Sequence, residues 1–380
     1  MSSPKTKRSP WFWIPSLYFA EGLPYVVVMT VSVIMYKRLG VSNTEIALYT
    51  SWLYLPWVIK PLWSPLVDIL KTKRHWIIAM QLLVGAGLAG VALTLPLDNF
   101  LRYSLAFLWL LAFSSATHDI AADGFYMLGL SQHKQAWFVG VRSTFYRLAM
   151  ITGQGLLVML AGYIEAVAGD LTRAWTVTFY VLAGLFVLFF LYHQWALPRP
   201  PADMPRSHNG IADIFREFGH TFLSFFKKQH IVPALAFLLL FRFAEAQLAK
   251  MASPFLLDAA EAGGLGLSTS QVGFVYGTVG VLMLTLGGIL GGVLAARHGL
   301  KFWLWWMVAA INLPNAVYIF LATVQPEAYW VINAAVVVEQ FGYGFGFTAY
   351  MLYLIYISQC EHETAHFGIC TGFMALGMML

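Results

Sequence analysis

Charged residues and cysteines are both scarce in this chain of 380 residues. Charged residues make up 11% of the sequence, against roughly a quarter in a typical soluble domain, whereas hydrophobic residues make up 59%. Two cysteines, Cys360 and Cys370, are too few for a disulfide framework or a cysteine-rich metal scaffold. The sequence lacks a phosphate-binding P-loop, which disfavours an ATP-driven machine. The small net charge of +5 is dispersed, so we expect no nucleic-acid partner.

Long apolar segments are what the chain has in abundance. With a mean hydropathy of +0.69, it carries more apolar surface than a soluble domain can bury. Apolar segments of about 20 residues recur between short polar connections, which is typical of helices that span a membrane. The ten predicted spans are residues 11–36, 44–66, 76–95, 103–127, 137–164, 175–197, 231–256, 271–296, 301–322 and 328–357. A further apolar run from about Ala365 predicts an eleventh helix that is interrupted where the chain stops at Leu380.

One polar interval divides the predicted helices into two groups. Residues 198–230 contain a proline-rich start, which breaks any continuous helix, followed by apolar residues at helical spacing. That pattern predicts an amphipathic helix along the inner membrane surface. Its apolar stripe consists of Ile211, Ile214, Phe215, Phe218, Phe222 and Phe225. The predicted fold is therefore an all-α integral membrane protein of two six-helix bundles: residues 1–197, a linker over 198–230, and an incomplete second bundle over 231–380.

The basic residues of the connections indicate an orientation. Lysine and arginine concentrate on the side that holds the N-terminus, which predicts a cytoplasmic N-terminus by the positive-inside rule. No Ala-x-Ala-like site follows the first long helix, so we expect no cleavable signal peptide. The charges on the N-terminal side are Lys5, Lys7, Arg8, Lys71, Lys73, Arg74, Lys134, Arg199, Arg206, Arg216, Lys227, Lys228, Arg297 and Lys301. Those on the opposite side are Lys37, Arg38, Arg102 and Arg173.

The fourth and fifth predicted spans carry charges of opposite sign. A charge near the bilayer centre costs at least about 2.5–3.5 kcal/mol, so it persists only when it is paired or faces a cavity. Helices joined by a short turn are antiparallel, so residues equally far from the turn lie at equal depth. This rule pairs Asp123 with Arg142 and Asp119 with Arg147. Such pairs are either switchable proton carriers or a static clamp between the helices.

Three more charged residues lie inside other spans. Glu21 sits beside Gly22 and Pro24 in the first helix, where a kink can turn it towards a cavity. Lys60 could pair with Glu21 or with an acid of the fourth span, or extend along the helix to the surface. Glu339 has no basic partner in its own helix. We predict roles in proton coupling or ion pairing for Glu21, Lys60, Asp119, Asp123, Arg142, Arg147 and Glu339.

Substrate contacts are predicted at polar and aromatic residues near these charges. Aromatic faces stack on sugar rings, although in membrane helices they more often pack or anchor at the interface. Arg242 and Glu245, three residues apart, could equally neutralise each other, and His118 could be a polar packing residue. The candidates are Tyr25, His118, Tyr146, Arg242, Glu245 and Gln340.

A weak internal repeat suggests how the halves are related. Ser64-Pro-Leu-Val-Asp68 followed by Lys71, Lys73 and Arg74 ends the second span, and Gly291–Lys301, with Arg297, ends the eighth. Basic turns at matching positions of two six-helix units resemble the loop motif of the major facilitator superfamily, in which two such units rock around a central site. We therefore predict a gating role for Asp68, Arg74 and Arg297.

Within that superfamily the first half resembles the AmpG-type muropeptide permeases. The resemblance rests on Glu21-Gly-Leu-Pro24, the segment from Lys60 to Asp68, the segment from Ser114 to Asp123, and Tyr146-Arg147-Leu. His118 stands where the family would have glutamine, and Ala149 where it usually has glycine. The resemblance implies proton-driven uptake of cell-wall sugar–peptide fragments across a bacterial inner membrane. We expect no cofactor and a monomer as the working unit.

Other functions remain open at this point. A symporter of the same fold could carry another polar solute, such as an oligosaccharide or an acyl-coenzyme A. His118, Asp119 and Asp123 could ligate a metal in an intramembrane enzyme, although adjacent residues on a helix diverge and no second histidine cluster follows. A sensor or assembly scaffold would show no solute flux.

Overall fold

A computed structural model describes residues 8–204, 211–358 and 363–379, and every regular element in them is helical. Three π-helical segments join consecutive helices without a break: Val27–Val31 links α1 to α2, Ile151–Leu157 links α7 to α8, and Gly273–Gly280 links α13 to α14. The first-half helices are α1 Ile14–Val26, α2 Ser32–Arg38, α3 Asn43–Trp52, α4 Leu55–Leu70, α5 Lys73–Thr94, α6 Phe100–Gly129, α7 Gln132–Met150, α8 Val158–Ala168 and α9 Leu171–Ala196. Then follow α10 Ile211–Phe226, α11 Ile231–Leu240, α12 Phe243–Leu257, α13 Thr269–Val272, α14 Val281–His298, α15 Leu300–Asn312, α16 Val317–Val324, α17 Tyr329–Ser358 and α18 Glu363–Met379.

Eight helical segments of the described chain are long and apolar enough to cross a membrane. This confirms the predicted all-helical membrane fold. Three predicted spans are, however, divided. The span over 44–66 breaks at Leu53 and Tyr54, whose N–H groups bond three residues back, to Thr50 and Ser51, just before Pro56. Proline lacks an N–H and cannot continue the α-helical bonds there.

The span predicted over 231–256 is divided too. The helix leaves α-geometry at Arg242, between α11 and α12. In the span predicted over 301–322, a 3₁₀ turn at Leu313–Ala316 separates α15 from α16 and places Pro314 at its start. The boundaries of the predicted bundles at residues 197 and 231 stay a prediction, although α9 ends at Ala196 and α11 begins at Ile231.

The connections between successive membrane-crossing helices alternate between two faces of the molecule. We call the side that holds Arg8 and the connection from α4 to α5 the N-terminal face. The opposite side, with the connections from α2 to α3 and from α12 to α13, is the far face. In the first half α5 packs between α6 and α9, and in the second half α17 packs against α14 and α15.

The two halves meet closely towards the far face. Helix α8 packs on α13, α2 on α12, and the π-helical segment before α8 on the one before α14. At the last contact the backbones touch: a Cβ added to Gly277 would lie 1.9 Å from the carbonyl oxygen of Gln154. Glycine is required where two helices approach this closely. Helix α4 also packs against α18, near the contact of Gly372 with Val58.

The predicted amphipathic helix of the linker exists as α10, Ile211–Phe226. Its last turns pack against protein: Phe225 is fully buried and its ring stacks on that of Phe373 in α18. Placement along the membrane surface stays a prediction. The side chains of Ile211, Ile214, Phe215 and Phe218 in its stripe lie outside the described residues, as do Lys5, Lys7, Arg206 and Cys360.

Candidate functional site

Two ion pairs lie together inside the first half. Lys60 of α4 reaches Asp119 of α6, with 2.5 Å between Nζ and Oδ2. Arg142 of α7 reaches Asp123, one turn further along α6, with 2.7 Å between Nη2 and Oδ1. The second contact confirms the pairing predicted from equal depth. These side chains are partly exposed, from 18% for Asp119 to 43% for Asp123, and at membrane depth we expect such charges to face a polar cavity rather than lipid.

Tyrosine rings complete the second pair. The hydroxyl of Tyr18 donates to Asp123 Oδ1 at 3.2 Å, and the guanidinium of Arg142 lies 4.4 Å above the Tyr18 ring. Tyr126 offers a second face to the same guanidinium at 5.2 Å. Sequence reasoning missed both tyrosines. A signal exists, since Tyr18 lies three residues before Glu21 and Tyr126 three after Asp123, and residues at that spacing share a helix face.

Glu21 is the third carboxylate of this group. It is 6% exposed, and one of its oxygens, Oε2, has no hydrogen-bond partner among the described residues. Asp123 and Asp119 are close enough for their charges to act on it. Glu21, Lys60, Asp119, Asp123 and Arg142 form what we call the charged cluster. It brings three acids and two cations together from α1, α4, α6 and α7.

The predicted pair of Asp119 with Arg147 is wrong. Asp119 bonds to Lys60, whereas Arg147 donates from Nη1 to Thr285 Oγ1 in α14 at 3.2 Å. Equal depth fixes the height of a residue but not the direction of its side chain around the helix. Arg147 therefore links the two halves instead of the two helices of a hairpin.

His118 does not contact the charged cluster directly. It is 2% exposed, and its Nε2 lies 3.1 Å from the amide nitrogen of Gln81. Gln81 Oε1 in turn lies 3.0 Å from His193 Nδ1, and His193 Nε2 lies 2.9 Å from the hydroxyl of Ser16. This buried chain of bonds ties α6, α5, α9 and α1 together. A substrate contact for His118, predicted from sequence, therefore has no support in this geometry.

The second half carries its own buried ion pair. Arg242 Nη2 lies 2.8 Å from Glu245 Oε2, as their spacing allowed, and the same guanidinium nitrogen donates to the hydroxyl of Tyr343 at 2.6 Å. The central carbon of this guanidinium, Cζ, lies 4.7 Å from the centroid of the Phe347 ring. Arg242 thus sits in an aromatic box with its charge matched by Glu245, whose side chain is almost fully buried.

The remaining predicted site residues have local partners. The amide of Gln340 donates to both carboxylate oxygens of Glu339, and both residues are buried. The ring of Tyr25 meets that of Trp57 edge-on, with 5.2 Å between centroids. Tyr146 packs against the backbone at Gly22, next to Glu21. Their roles in coupling or substrate contact stay predictions.

The predicted gating residues lie in different surroundings. Arg74 donates to the carbonyl oxygens of Gln194 and, from Nε at 3.4 Å, Leu197 at the end of α9, so it caps a helix of its own half. Arg297 is exposed at the end of α14. The side chain of Asp68 lies outside the described residues.

A polar contact between the halves on the far face was not predicted. The ammonium of Lys37 forms an ion pair with Asp258, and the amide of Asn43 donates to the same carboxylate at 3.1 Å. No sequence signal marks this contact, because the partners lie more than 200 residues apart.

Glu165 forms the second part of that contact. It pairs with Arg38 of its own half and accepts a 2.8 Å hydrogen bond from Thr269 of the other half. Together with Lys37, Asn43 and Asp258, these residues form what we call the far-face latch.

Among the described residues, no group of three or more histidine, cysteine, aspartate or glutamate side chains could hold a metal ion. The adjacent His118 and Asp119 point into different environments, the first into the buried chain and the second to Lys60. The donor set suggested from sequence for a metalloenzyme is therefore not assembled.

The arrangement of helices and buried charges can be compared with known proteins. The sequence model of the Major Facilitator Superfamily matches residues 16–380. The chain belongs to this superfamily. Its membership makes it a multi-pass secondary transporter of a small molecule and not an enzyme.

Relatives within the Major Facilitator Superfamily confirm the resemblance to AmpG-type permeases. The anhydromuropeptide permease of Escherichia coli K12 is 25% identical over 376 residues, covering 95% of this chain and 70% of that protein. The AmpG 4 protein of Rickettsia conorii is 24% identical over 380 residues, covering 96% of this chain and 86% of that protein.

Solved structures of the superfamily share the fold. A bacterial homologue of the human lysosomal transporter Spinster, inward-facing and unoccupied, gives a TM-score of 0.72 at 17% identity over 99% of this chain and 82% of its own. A D-xylose–proton symporter gives 0.66 at 15% identity over 97% and 87%.

Proposed function

We propose that this protein is a proton-coupled symporter that imports muropeptides, the sugar–peptide fragments of the cell wall. The observation that carries the proposal is the charge of the cluster: three carboxylates face two cations. An uncompensated charge at membrane depth is expensive. One bound proton would balance the cluster, and an unpartnered oxygen of Glu21 offers a place for it.

The charged cluster also suggests how substrate and proton could be linked. A peptide carboxylate that reaches Arg142 would compete with Asp123 for the guanidinium, since bidentate binding of carboxylates is what arginine does best. Asp123 would then lose its partner and bind a proton more readily. Substrate binding and proton binding would favour the same state, as symport requires.

The substrate class rests on the relatives, among which the Escherichia coli protein is named an anhydromuropeptide permease. The basic N-terminal face supports a cytoplasmic N-terminus. We further propose a bacterial inner-membrane location, a monomer as the working unit, and opening between the two halves on the N-terminal face. The last point is supported by the close contact of the halves at the far face.

The decisive experiment is uptake into proteoliposomes. Labelled anhydro-muropeptide should accumulate when a proton gradient is imposed, and a protonophore should abolish the accumulation. Adding substrate without a gradient should move protons with it. Labelled oligosaccharide and labelled acyl-coenzyme A are tested in the same way.

Each outcome has one meaning. Accumulation of the oligosaccharide or of acyl-coenzyme A, without accumulation of the muropeptide, would assign that substrate instead. Muropeptide uptake that the protonophore does not inhibit would contradict proton coupling. Absence of flux for all three solutes, in protein that melts cooperatively, would favour a sensor. The matched pair Asp119→Asn and Asp258→Asn separates the cluster from the latch, since only the first should abolish coupling.

A further inference from the structure

A basic cavity opens on the N-terminal face, away from the charged cluster. Its volume is about 350 Å³, within the range of small-ligand sites, and it lies where α9 ends. The charged residues among its described lining residues are all arginines: Arg8, Arg74 and Arg199. Three cations around one cavity mark a site for an anion.

The local backbone would not attract an anion without these arginines. The C-terminus of a helix carries a partial negative charge, and the end of α9 forms part of the wall. Arg74 offsets that charge because it donates to the carbonyl oxygens of Gln194 and Leu197. The carboxylate of Asp203 is directed elsewhere, accepting the N–H groups of Lys73 at 2.7 Å and Arg74 at 3.1 Å at the start of α5.

One wall of the cavity is an exposed indole. Trp195 is 56% exposed, and the guanidinium of Arg8 lies 4.5 Å above its ring. The exposed ring of Phe12 meets Trp195 edge-on at 6.3 Å. Exposed aromatic rings at the end of a membrane helix lie at the level of the lipid headgroups. The basic cavity is therefore level with the phosphate groups of the bilayer.

We propose that the basic cavity binds the phosphate group of an anionic phospholipid, whose acyl chains descend along the outer surface of α9 beside Trp195. Basic pockets at the ends of transmembrane helices recognise such headgroups. Arg8 and Arg199 contact the phosphate, and Arg74 supplies charge while it caps α9. The lipid is favoured over free phosphate because α9 exposes apolar side chains next to Trp195, Leu188 and Leu191 among them, along which acyl chains can pack.

Native mass spectrometry of the purified full-length chain tests this directly. Phosphatidylglycerol and phosphatidylcholine with the same acyl chains are titrated separately, and the first bound lipid is quantified. We expect phosphatidylglycerol to bind at least about tenfold more tightly. Each arginine near an anionic surface contributes about a fivefold change in affinity, so Arg8→Gln combined with Arg199→Gln should weaken the first site about 25-fold.

Control variants separate this site from general charge effects. Lys301→Gln removes an exposed cation from the same face, outside the cavity, and should leave the first site unchanged. Arg8→Lys should retain most of the affinity. Should the double variant fail to fold, Arg199→Gln alone, at an exposed residue, still tests the site.

Three results would overturn the proposal. The first is equal binding of both lipids by the wild-type chain. The second is a loss of affinity in Lys301→Gln as large as in the arginine variants. The third is displacement of the lipid by inorganic phosphate at a concentration similar to that of the lipid, which would assign the cavity to free phosphate. None of these readouts depends on transport, so the proposed function and the lipid site can fail separately.

Discussion

The closest contact between the two halves offers a sharp test of alternating access. In Gly277→Ala the new Cβ would lie 1.9 Å from Gln154 O and 2.5 Å from Gly155 N, all backbone atoms. Ordinary contact begins near 3.4 Å, so the two π-helical segments must separate by about 1.5 Å. Overpacking of this kind costs about 1–3 kcal/mol. If only the state closed at the far face carries that cost, its population falls about 5- to 150-fold relative to the open state.

Cysteine accessibility measures that shift. Thr269 is 1% exposed and lies in the contact between the halves, so Thr269→Cys should react with a membrane-impermeant maleimide only when the far face opens. The native cysteines are first replaced by serine, and uptake by that background is checked. Gly277→Ala should then raise the labelling rate from the far face about fivefold or more.

The control is Gly292→Ala, where an added Cβ meets no atom within 4 Å. It should leave labelling unchanged, and helix propensity favours alanine slightly. Equal labelling rates in both variants, with equal melting temperatures, would show that the contact at Gly277 does not hold the far face closed. A lower melting temperature for Gly277→Ala without faster labelling would mean that both states contain the contact.

Three further predictions concern the charges. Asp123→Arg should reduce the amount of protein in the membrane, and adding Arg142→Asp should restore it. Because the Asp123 side chain is 43% exposed, the single change should cost about 1–3 kcal/mol, less than the about 3–5 kcal/mol of a fully buried pair. A double variant no better than the single variants in expression or uptake would contradict the pairing. Asp119→Asn should keep counterflow but lose proton-driven accumulation, since an amide cannot change its charge, and unaltered accumulation would remove Asp119 as a carrier. Asp258→Asn should raise far-face labelling at most about fivefold, because its pair with Lys37 is partly exposed, whereas a hundredfold rise would show a far stronger latch.

The membrane fold could be predicted because hydropathy records it directly. Spans of apolar residues locate the helices, but not the breaks within them. Prolines illustrate the difference: Pro56 follows the break between α3 and α4, whereas Pro61 lies inside a continuous α4. Whether a proline interrupts a helix depends on what packs around it, which a single sequence does not show.

The charged cluster could be predicted only in part. A short turn fixes the depth of residues in α6 and α7, and this suffices for Asp123 and Arg142. It fails for Asp119, which faces α4, and for Arg147, whose partner lies 138 residues away in the other half. Adjacent helical residues point about 100° apart, so His118 enters a buried network while Asp119 meets Lys60.

The far-face latch has a consequence for the speed of transport. When the halves part, Glu165 keeps Arg38 and loses only the hydroxyl of Thr269, and Lys37 keeps Asn43 at 2.8 Å. Asp258 gives up both the ammonium of Lys37 and the amide of Asn43, and water can replace them because its side chain is 23% exposed. A hydrogen bond to a charged group contributes about 1.5–3 kcal/mol and an exposed ion pair about 0–1. We therefore expect only the contacts of Thr269 and Asp258, and the separation of the glycine-packed helices, to add to the barrier when the carrier opens at the far face.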